Sequence, residues 1–164
     1  YFTFLSACAP DAPIILGDGR LTLQQKPEGY FDILLLDAFS SDAVPAHLLT
    51  REAVRSYFTR VAPGGVVMLH ISNRHVDLAP ILARIAEAEG LTIRRQYYQP
   101  KNNDATKEFN GTSASDVVLL ARTPQDLLPI QNDDRWSTVD YIPGRPWTDD
   151  YSNIIGAMLE KHAK

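Results

Sequence analysis

The sequence predicts an α/β domain in which a mostly parallel sheet carries helices on both faces. The alternation of two kinds of segment supports this fold class. Short apolar runs, typical of buried strands, alternate along the chain with segments whose apolar residues recur at helical spacing. The chain has 164 residues, of which 45% are hydrophobic, which is enough for one ordinary core. We therefore expect a single domain over residues 1–164.

The amino-terminal part of the chain contains two of the predicted strands. Residues 1–7 have the pattern of a helix end, and residues 14–16 form a short buried run that ends at a Gly-Asp-Gly turn. Residues 21–25 have room for one helical turn. Residues 31–36 are apolar except for Asp32, as expected of a strand that is covered on both faces. This second strand ends at Asp37.

Two helices with clear boundary signals follow. Thr50 is a suitable cap for the first helix, and Pro63 with the two glycines after it stops that helix. Asp77 can cap the second helix, which ends at Gly90. Residues 66–71, 91–98 and 116–121 supply the remaining strands. The apolar faces consist of Val54, Tyr57, Phe58 and Val61 in the first helix and Leu78, Ile81, Leu82 and Ile85 in the second.

Two segments fall outside this regular pattern. Residues 99–115 are polar and long for a hairpin connection, so we predict a mobile loop there. Residues 123–164 follow the last predicted strand, and we expect them to form a carboxyl-terminal extension that packs near the site.

The composition excludes several classes of function. The formal net charge is −4, without the excess of Lys and Arg that binds a phosphate backbone, so nucleic acid is not an expected partner. The single cysteine, Cys8, excludes an internal disulfide and a zinc knuckle. No apolar run approaches the roughly 20 residues of a membrane helix. We therefore expect a soluble, cytoplasmic domain.

Candidate site residues follow the ends of the predicted strands, because open sheets of this kind bind ligands beyond the carboxyl ends of their strands. The three such places are residues 17–20, 37–45 and 70–73. A carboxylate there can accept hydrogen bonds from a ribose or an adenine amino group, or take a proton from a nucleophile. The simpler interpretations are an Asp-Gly turn for Asp18 and a cap or solvated strand end for Asp37.

Residues 14–20 and 30–37 resemble two motifs of the spermidine synthase family. In that family a Gly-Asp-Gly or Gly-Asp-Ala turn follows one strand, as Gly17, Asp18 and Gly19 do here. The next strand carries a Tyr/Phe-Asp-hydrophobic run-Asp pattern, matched by residues 30–37. Residues 62–66 are similar to a turn shared widely with methyltransferases. The Thr-Asp-Asp-Tyr stretch at 148–151 is similar to one found in spermidine synthase-like proteins.

The resemblance implies a Rossmann-like, methyltransferase-type fold and a role in polyamine biosynthesis. It makes Asp37 the catalytic base and assigns the adenine end of a nucleoside to Asp18, with Gly17 and Gly19 in the same turn. Decarboxylated S-adenosylmethionine or S-adenosylmethionine is the implied co-substrate. Metal-compatible side chains occur at His70, His75 and Asp77, but His70 follows a strand and the other two lead into a helix, so they share no helical face and we expect no metal site.

The remaining acidic and aromatic residues are candidates for holding the amine acceptor. Asp42, Asp149 and Asp150 offer carboxylates to its ammonium groups, while Tyr151 or Trp147 offers a ring face to a cation. The simpler interpretation of Asp149 and Asp150 is a solvated surface.

The resemblance also concerns the rest of the parent protein. Family members have a glycine-rich nucleotide loop and an acidic ribose-binding residue before the segment that begins at Tyr1, so we expect the first strands of the sheet to be missing. Some relatives are fused to a membrane transporter-like part, which implies a parent protein with a membrane part. Strand edges exposed in this way favour a homodimer.

Three functions remain open at this point. The first is an aminopropyltransferase that acts on a small-molecule amine and a nucleoside. The second is an S-adenosylmethionine-dependent methyltransferase that uses the same nucleoside site for another acceptor. The third is a truncated, non-catalytic domain that binds a nucleoside or a partner protein.

Overall fold

The computed structural model describes residue 3 and residues 7–38, 45–73, 75–100 and 114–162. The predicted acceptor residue Asp42 lies outside the described residues. Residues 101–113 of the predicted mobile loop also lie outside the described residues. The regular elements, in chain order, are α1 (Gly19–Gln24), β1 (Phe31–Leu36), the short 3-10 helix η1 (Ala46–Leu48), α2 (Arg51–Arg60), β2 (Val61–His70), α3 (Ala79–Glu89), β3 (Thr92–Tyr98), β4 (Ser115–Ala121), a second 3-10 helix η2 (Pro124–Ile130) and α4 (Ile154–His162).

The four strands form one sheet in the order β1-β2-β4-β3. β1 and β2 are parallel, whereas β4 is antiparallel to both of its neighbours, β2 and β3. Three of the four strands therefore run in the same direction, with β4 reversed between two of them. The predicted α/β fold with a mostly parallel sheet is confirmed.

Helices cover both faces of the sheet, but unequally. The alternation of side chains along β2 sends Val67 and Leu69 into the larger core, where α2 and α3 pack. Val66 and Met68 point to the opposite face and contact a smaller cluster that includes Leu127 of η2. All four residues of each predicted helical face lie in the larger core.

The environment of β1 differs from the prediction of a strand covered on both faces. Leu34 is buried in the larger core, but Ile33 and Leu35 are 62% and 56% exposed. β1 is an edge strand of the described sheet, and η2 covers only β2 and β4. The buried run predicted at residues 14–16 is also wrong: these residues are exposed and form no strand.

The N-cap of α3 is Leu78, whose side chain makes no capping hydrogen bond, and not the predicted Asp77, although Asp77 accepts a hydrogen bond from the backbone N of Ala79. The other boundaries of α2 and α3 follow the predicted signals with one exception. Thr50 caps α2 by accepting a hydrogen bond from the backbone N of Ala53, and Gly90 ends α3 with φ of 66°. The exception is the Pro63-Gly64-Gly65 turn, which lies inside β2 because that strand begins directly at Val61. The register against β1 shifts here, so the turn forms an irregularity of the parallel pair.

The carboxyl-terminal residues return across the larger core. The ring of Trp147 is 3% exposed in that core, and its carbonyl accepts a hydrogen bond from the backbone N of Arg51 at the start of α2. Ala157 of α4 packs into the same core. Across the ranges described above, no helix has both the length and the apolar character needed to cross a membrane.

Candidate functional site

The parallel pairing of β1 and β2 brings Asp37 and His70 side by side. Leu36 is paired with Leu69, so the next residues along the two strands, Asp37 and His70, are neighbours at the carboxyl ends. Nδ1 of His70 lies 2.8 Å from Oδ1 of Asp37. The side chain of His70 is 29% exposed and that of Asp37 is 56% exposed, so the pair faces solvent.

A second contact fixes the other side of the imidazole. Nε2 of His70 lies 2.7 Å from the hydroxyl oxygen of Ser72, and that oxygen accepts a hydrogen bond from the backbone N of Asp116 at 2.9 Å. Asp116 is 8% exposed, and its carboxylate accepts two hydrogen bonds from Arg95, at 2.8 and 2.5 Å. Side chains from all four strands or their ends therefore take part in one polar network.

The pKa of the Arg95 guanidinium reports the same network. The hydrogen bonds to Asp116 raise the pKa of Arg95, although partial burial opposes this shift, and the nearby carboxylate of Asp77 adds to it. Arg95 therefore stays charged and holds Asp116, and Asp116 in turn holds Ser72.

The second candidate turn, at Gly17, Asp18 and Gly19, begins α1. Oδ1 of Asp18 caps this helix by accepting a hydrogen bond from the backbone N of Leu21 at 3.0 Å. Its Oδ2 lies 3.8 Å from Nε2 of His47, and the side chain is 45% exposed. Gly17 has φ of 143°, a conformation that L side chains rarely adopt, so the turn requires glycine there.

Arg20, next to this turn, forms a clasp with Asp149. The guanidinium donates two hydrogen bonds to the Asp149 carboxylate, at 2.8 and 2.7 Å. The hydroxyl of Thr50 donates a third, at 2.7 Å. The bonds from Arg20 lower the pKa of the Asp149 carboxyl; partial burial opposes this shift, and the bond from Thr50 supports it.

The short helix η1 lies between the two groups of polar residues. Its His47 contacts Asp18, and the carbonyl of His47 accepts a hydrogen bond from Arg20. Its Leu48 lines a cavity of about 10 Å³ together with Ala38 and His70. The buried hydroxyl of Tyr57 donates to the Leu48 carbonyl at 3.1 Å and thereby holds η1 on α2. Burial raises the pKa of this phenol, so it remains a donor.

The predicted acceptor residues in the carboxyl-terminal extension lie near Arg20 and Thr50. Asp149 belongs to the clasp, and Asp150 beside it is exposed. A cation does lie over Tyr151, but it is the guanidinium of Arg145, 4.1 Å from the ring centroid. Trp147 is buried in the larger core. The amine-binding roles of these residues stay predictions.

A larger open pocket, of about 540 Å³, lies away from these residues. It is lined by residues at the ends of α2 and α3 and by Arg122, which follows β4. Arg122 donates hydrogen bonds to the carbonyls of Phe58, Val61 and Ala62, so its charge holds the end of α2. None of the predicted site residues lines this pocket. In the part of the chain that the structure describes, no three His, Cys, Asp or Glu side chains are grouped to hold a metal ion.

Sequence reasoning identified the segment 70–73 as a strand end but missed two of its roles. It treated His70 only as a potential metal ligand and did not consider its pairing with Asp37. It also did not assign a partner to Ser72. The sequence shows that both strands end in polar residues, but it does not show the register that makes Asp37 and His70 neighbours.

Comparisons with known proteins give a fold but no family. No protein-family model matches the sequence, and no curated protein matches it. A structure described as a probable spermidine synthase from Corynebacterium glutamicum matches with a TM-score of 0.55 and 15% identity over 90% of this chain. An S-adenosylmethionine-dependent methyltransferase from Archaeoglobus fulgidus matches with a TM-score of 0.49 and 13% identity, over 73% of this chain and 71% of its own. Spermidine synthase from Thermotoga maritima matches with a TM-score of 0.49 and 12% identity, over 95% of this chain and 49% of its own.

The likeness to the Corynebacterium structure shows that this chain has the Rossmann-like α/β fold. The match spans 60% of the length of that structure. At this level of identity the likeness concerns the fold alone, because one fold supports many chemistries.

Proposed function

We propose that this chain belongs to a spermidine synthase-like transferase that moves an aminopropyl group from decarboxylated S-adenosylmethionine to an amine. The observation that carries the proposal is the position, exposure and hydrogen bonding of the Asp37 carboxylate. Its carboxylate stands at the carboxyl end of a parallel strand, is 56% exposed, and has one oxygen held by His70. Its other oxygen accepts no hydrogen bond from the described residues.

A base at this position answers the chemical requirement of the reaction. The amine acceptor arrives as an ammonium and cannot attack until it loses a proton, which Asp37 accepts. The nitrogen lone pair then forms a bond to the aminopropyl carbon next to the sulfonium. The carbon–sulfur bond breaks, its electron pair remains on sulfur, and neutral 5'-methylthioadenosine leaves. Asp37 releases the proton to solvent.

The nucleoside end is assigned to the turn that contains Asp18. Oδ1 of Asp18 caps α1, while Oδ2 points toward His47 at 3.8 Å and is available to accept a hydrogen bond from an adenine amino group. Gly17 and Gly19 carry no side chains on either side of Asp18, and a Cβ added at Gly19 would meet nothing within 4 Å. A ring can therefore approach the backbone of this turn closely.

The amine end is assigned to the acidic residues Asp42, Asp149 and Asp150 and to Tyr151. Arg20 and Thr50 already bind the Asp149 carboxylate, and Arg145 covers one face of Tyr151. Amine binding by Asp149 or Tyr151 therefore competes with these existing contacts. In the proposal, Asp42 and Asp150 make the first contacts with the ammonium groups.

Asp37→Asn tests the base. The amide keeps the size of the side chain but accepts no proton at neutral pH, so we expect release of methylthioadenosine to fall by about 10²–10⁴-fold. The assay mixes purified protein with decarboxylated S-adenosylmethionine and putrescine. It is run on the 164-residue chain and on any longer protein in which the gene encodes it.

Asp32→Asn is the matched control, because Asp32 is an exposed carboxylate on the same strand, β1, away from the carboxyl end. Equal methylthioadenosine release from wild type and Asp37→Asn would overturn the role of Asp37. Release of S-adenosylhomocysteine from S-adenosylmethionine and an acceptor pool, without methylthioadenosine, would replace the proposal with a methyltransferase. If neither the 164-residue chain nor the longer protein releases either product, a non-catalytic domain is favoured.

A further inference from the structure

We infer that His70 is a positioning residue that orients the carboxylate of Asp37 through its Nδ1–H group. This inference rests on the proposed function, because it assigns His70 a part in the reaction that Asp37 serves. The evidence is the chain of contacts from Asp37 through His70 to Ser72, with separations of 2.8 and 2.7 Å. Each nitrogen of the imidazole therefore has a fixed neighbour.

The contact with Asp37 favours a proton on Nδ1 of His70, because an ionised carboxylate only accepts hydrogen bonds, and the contacts of Ser72 are compatible with this tautomer. The Ser72 oxygen already accepts a hydrogen bond from the backbone N of Asp116, so its own O–H group is available to donate to Nε2 of His70. An imidazole that accepts at Nε2 carries its proton at Nδ1 and donates it to Asp37. This direction suits both ends, because an ionised carboxylate only accepts hydrogen bonds.

The support behind Ser72 makes the imidazole a rigid element. Asp116 is held by its strand pairing and by two hydrogen bonds from Arg95. Its carbonyl also accepts a hydrogen bond from the backbone N of Ile71, between His70 and Ser72. The position of the ring is thus fixed by β2, β3 and β4 together, while Asp37 follows the edge strand β1.

This arrangement restricts the one motion that would disable an exposed base. A carboxylate at the end of an edge strand rotates freely unless one of its oxygens is bound. Binding of Oδ1 to His70 restricts this rotation and leaves Oδ2 without a hydrogen bond from the described residues. A pair as exposed as this one adds little to stability. Its geometric effect is the more important one, because correct orientation of reacting groups lowers a reaction barrier.

Two substitutions at residue 70 separate the contact with Asp37 from the contact with Ser72. The amide nitrogen of asparagine occupies the place of Nδ1, so His70→Asn can still donate to Asp37 but cannot reach Ser72. The amide of glutamine reaches the place of Nε2, so His70→Gln keeps the contact with Ser72 and loses the one with Asp37. The pair is thus matched in polarity and differs in which neighbour remains.

We expect His70→Gln to lower kcat for methylthioadenosine release by about 10–100-fold, and His70→Asn by less than about 5-fold, as a loss of orientation predicts. The KM for the amine should stay within about 2-fold in both variants, because His70 in this inference orients Asp37 and does not itself bind the amine. Equal kcat values for the two variants would overturn the inference. A rise in KM with unchanged kcat would overturn it as well, since His70 would then bind the acceptor.

A second measurement does not depend on activity or on the stability of a variant. Nitrogen-15 NMR of the imidazole in the wild-type protein should show a protonated Nδ1, and Asp37→Asn should shift its resonance. An unprotonated Nδ1 would overturn the inference even in an active enzyme. A wild-type protein that releases no methylthioadenosine overturns the proposed function instead, and the NMR result then reports separately whether the Asp37–His70 contact exists.

Discussion

Tyr57 is the largest buried side chain of α2, and its hydroxyl links the core to η1, the segment that carries His47 and Leu48. The ring is fully buried, and its hydroxyl donates to the Leu48 carbonyl. The hydroxyl therefore stabilises both the core and the position of η1 between the two groups of candidate site residues. No other described side chain donates a hydrogen bond to η1 from within the core.

Tyr57→Phe removes this hydrogen bond without removing the ring. We expect the free energy of unfolding to fall by about 1–2 kcal/mol, because the buried carbonyl loses its donor. Urea unfolding followed by circular dichroism measures the change. Tyr141→Phe is the control, because Tyr141 is 51% exposed and should change stability by less than about 0.5 kcal/mol. Equal stability of Tyr57→Phe and wild type would contradict the role of the hydroxyl.

At individual site positions, local chemistry was readable from the sequence, but partners across the sheet were not. Asp37 was found because it ends an apolar run, and Asp18 because it lies in a Gly-Asp-Gly turn. The pairing of Asp37 with His70 depends on the register Leu36 to Leu69, which no local pattern determines. The clasp between Arg20 and Asp149 joins residues 129 positions apart, so it was equally invisible.

The irregular segment within β2 shows how a glycine can be required by its neighbours. A Cβ added at Gly65 would lie 2.6 Å from the carbonyl oxygen of Asp32 and 2.7 Å from Cγ1 of Val61. The first of these is backbone of the adjacent strand, which cannot move without disturbing the parallel pair. The close approach explains why the Pro-Gly-Gly turn forms part of the strand and not of the preceding helix end.

Gly65→Ala should therefore weaken the pairing of β1 with β2. We expect a loss of about 1–3 kcal/mol in the free energy of unfolding, as is typical of overpacking. Gly19→Ala is the contrasting variant, because its added Cβ meets nothing and alanine is the better helix former, so stability should rise by up to about 1 kcal/mol. Thermal unfolding of both variants tests whether stability falls in Gly65→Ala and rises in Gly19→Ala. A stability loss of the same size at both positions would contradict the argument.

Helix boundaries were predicted well and strand environments less well, for a physical reason. The signals at Thr50 and Gly90 act within a few residues, through a side-chain hydrogen bond and a left-handed backbone conformation. The exposure of Ile33 and Leu35 depends instead on which elements cover the outer face of β1. An apolar run predicts a strand, but it does not state what packs against it.

At the scale of the whole molecule, the clasp between Arg20 and Asp149 connects distant segments of the chain at the candidate site. It joins the start of α1 to the carboxyl-terminal extension, and Thr50 adds the start of α2. The backbone N of Asp149 also donates to the Glu52 carboxylate at 3.0 Å. Three distant parts of the sequence therefore meet at one carboxylate, which makes their association sensitive to its charge.

Asp149→Asn should change how stability depends on pH. The pKa of the Asp149 carboxyl is lowered by Arg20, so its contribution is complete above the unfolded value of about 3.9 and is lost as the pH falls through the lower folded value. The side chain is 43% exposed, so we expect a difference from wild type of only about 0.3–1 kcal/mol at pH 7. This difference should shrink below about pH 4.

Urea unfolding at pH 7, 4 and 3 measures this dependence. Asp150→Asn is the matched control, since it removes the adjacent carboxylate and leaves the bonds to Arg20 intact. A difference between wild type and Asp149→Asn that stays constant down to pH 3 would show that the charge of Asp149 does not stabilise the fold.

The reversed position of β4 in the sheet sets the order in which a newly made chain can assemble. β4 is the last strand in the sequence, yet it separates β2 from β3, and it is the only strand that pairs with β3 in the described sheet. While the ribosome is still translating the segment before Ser115, β3 has no strand neighbour and β2 has one open edge. The sheet closes only after Ala121 has left the exit tunnel, so β3 and the open edge of β2 stay available to chaperones, or to other nascent chains, until then.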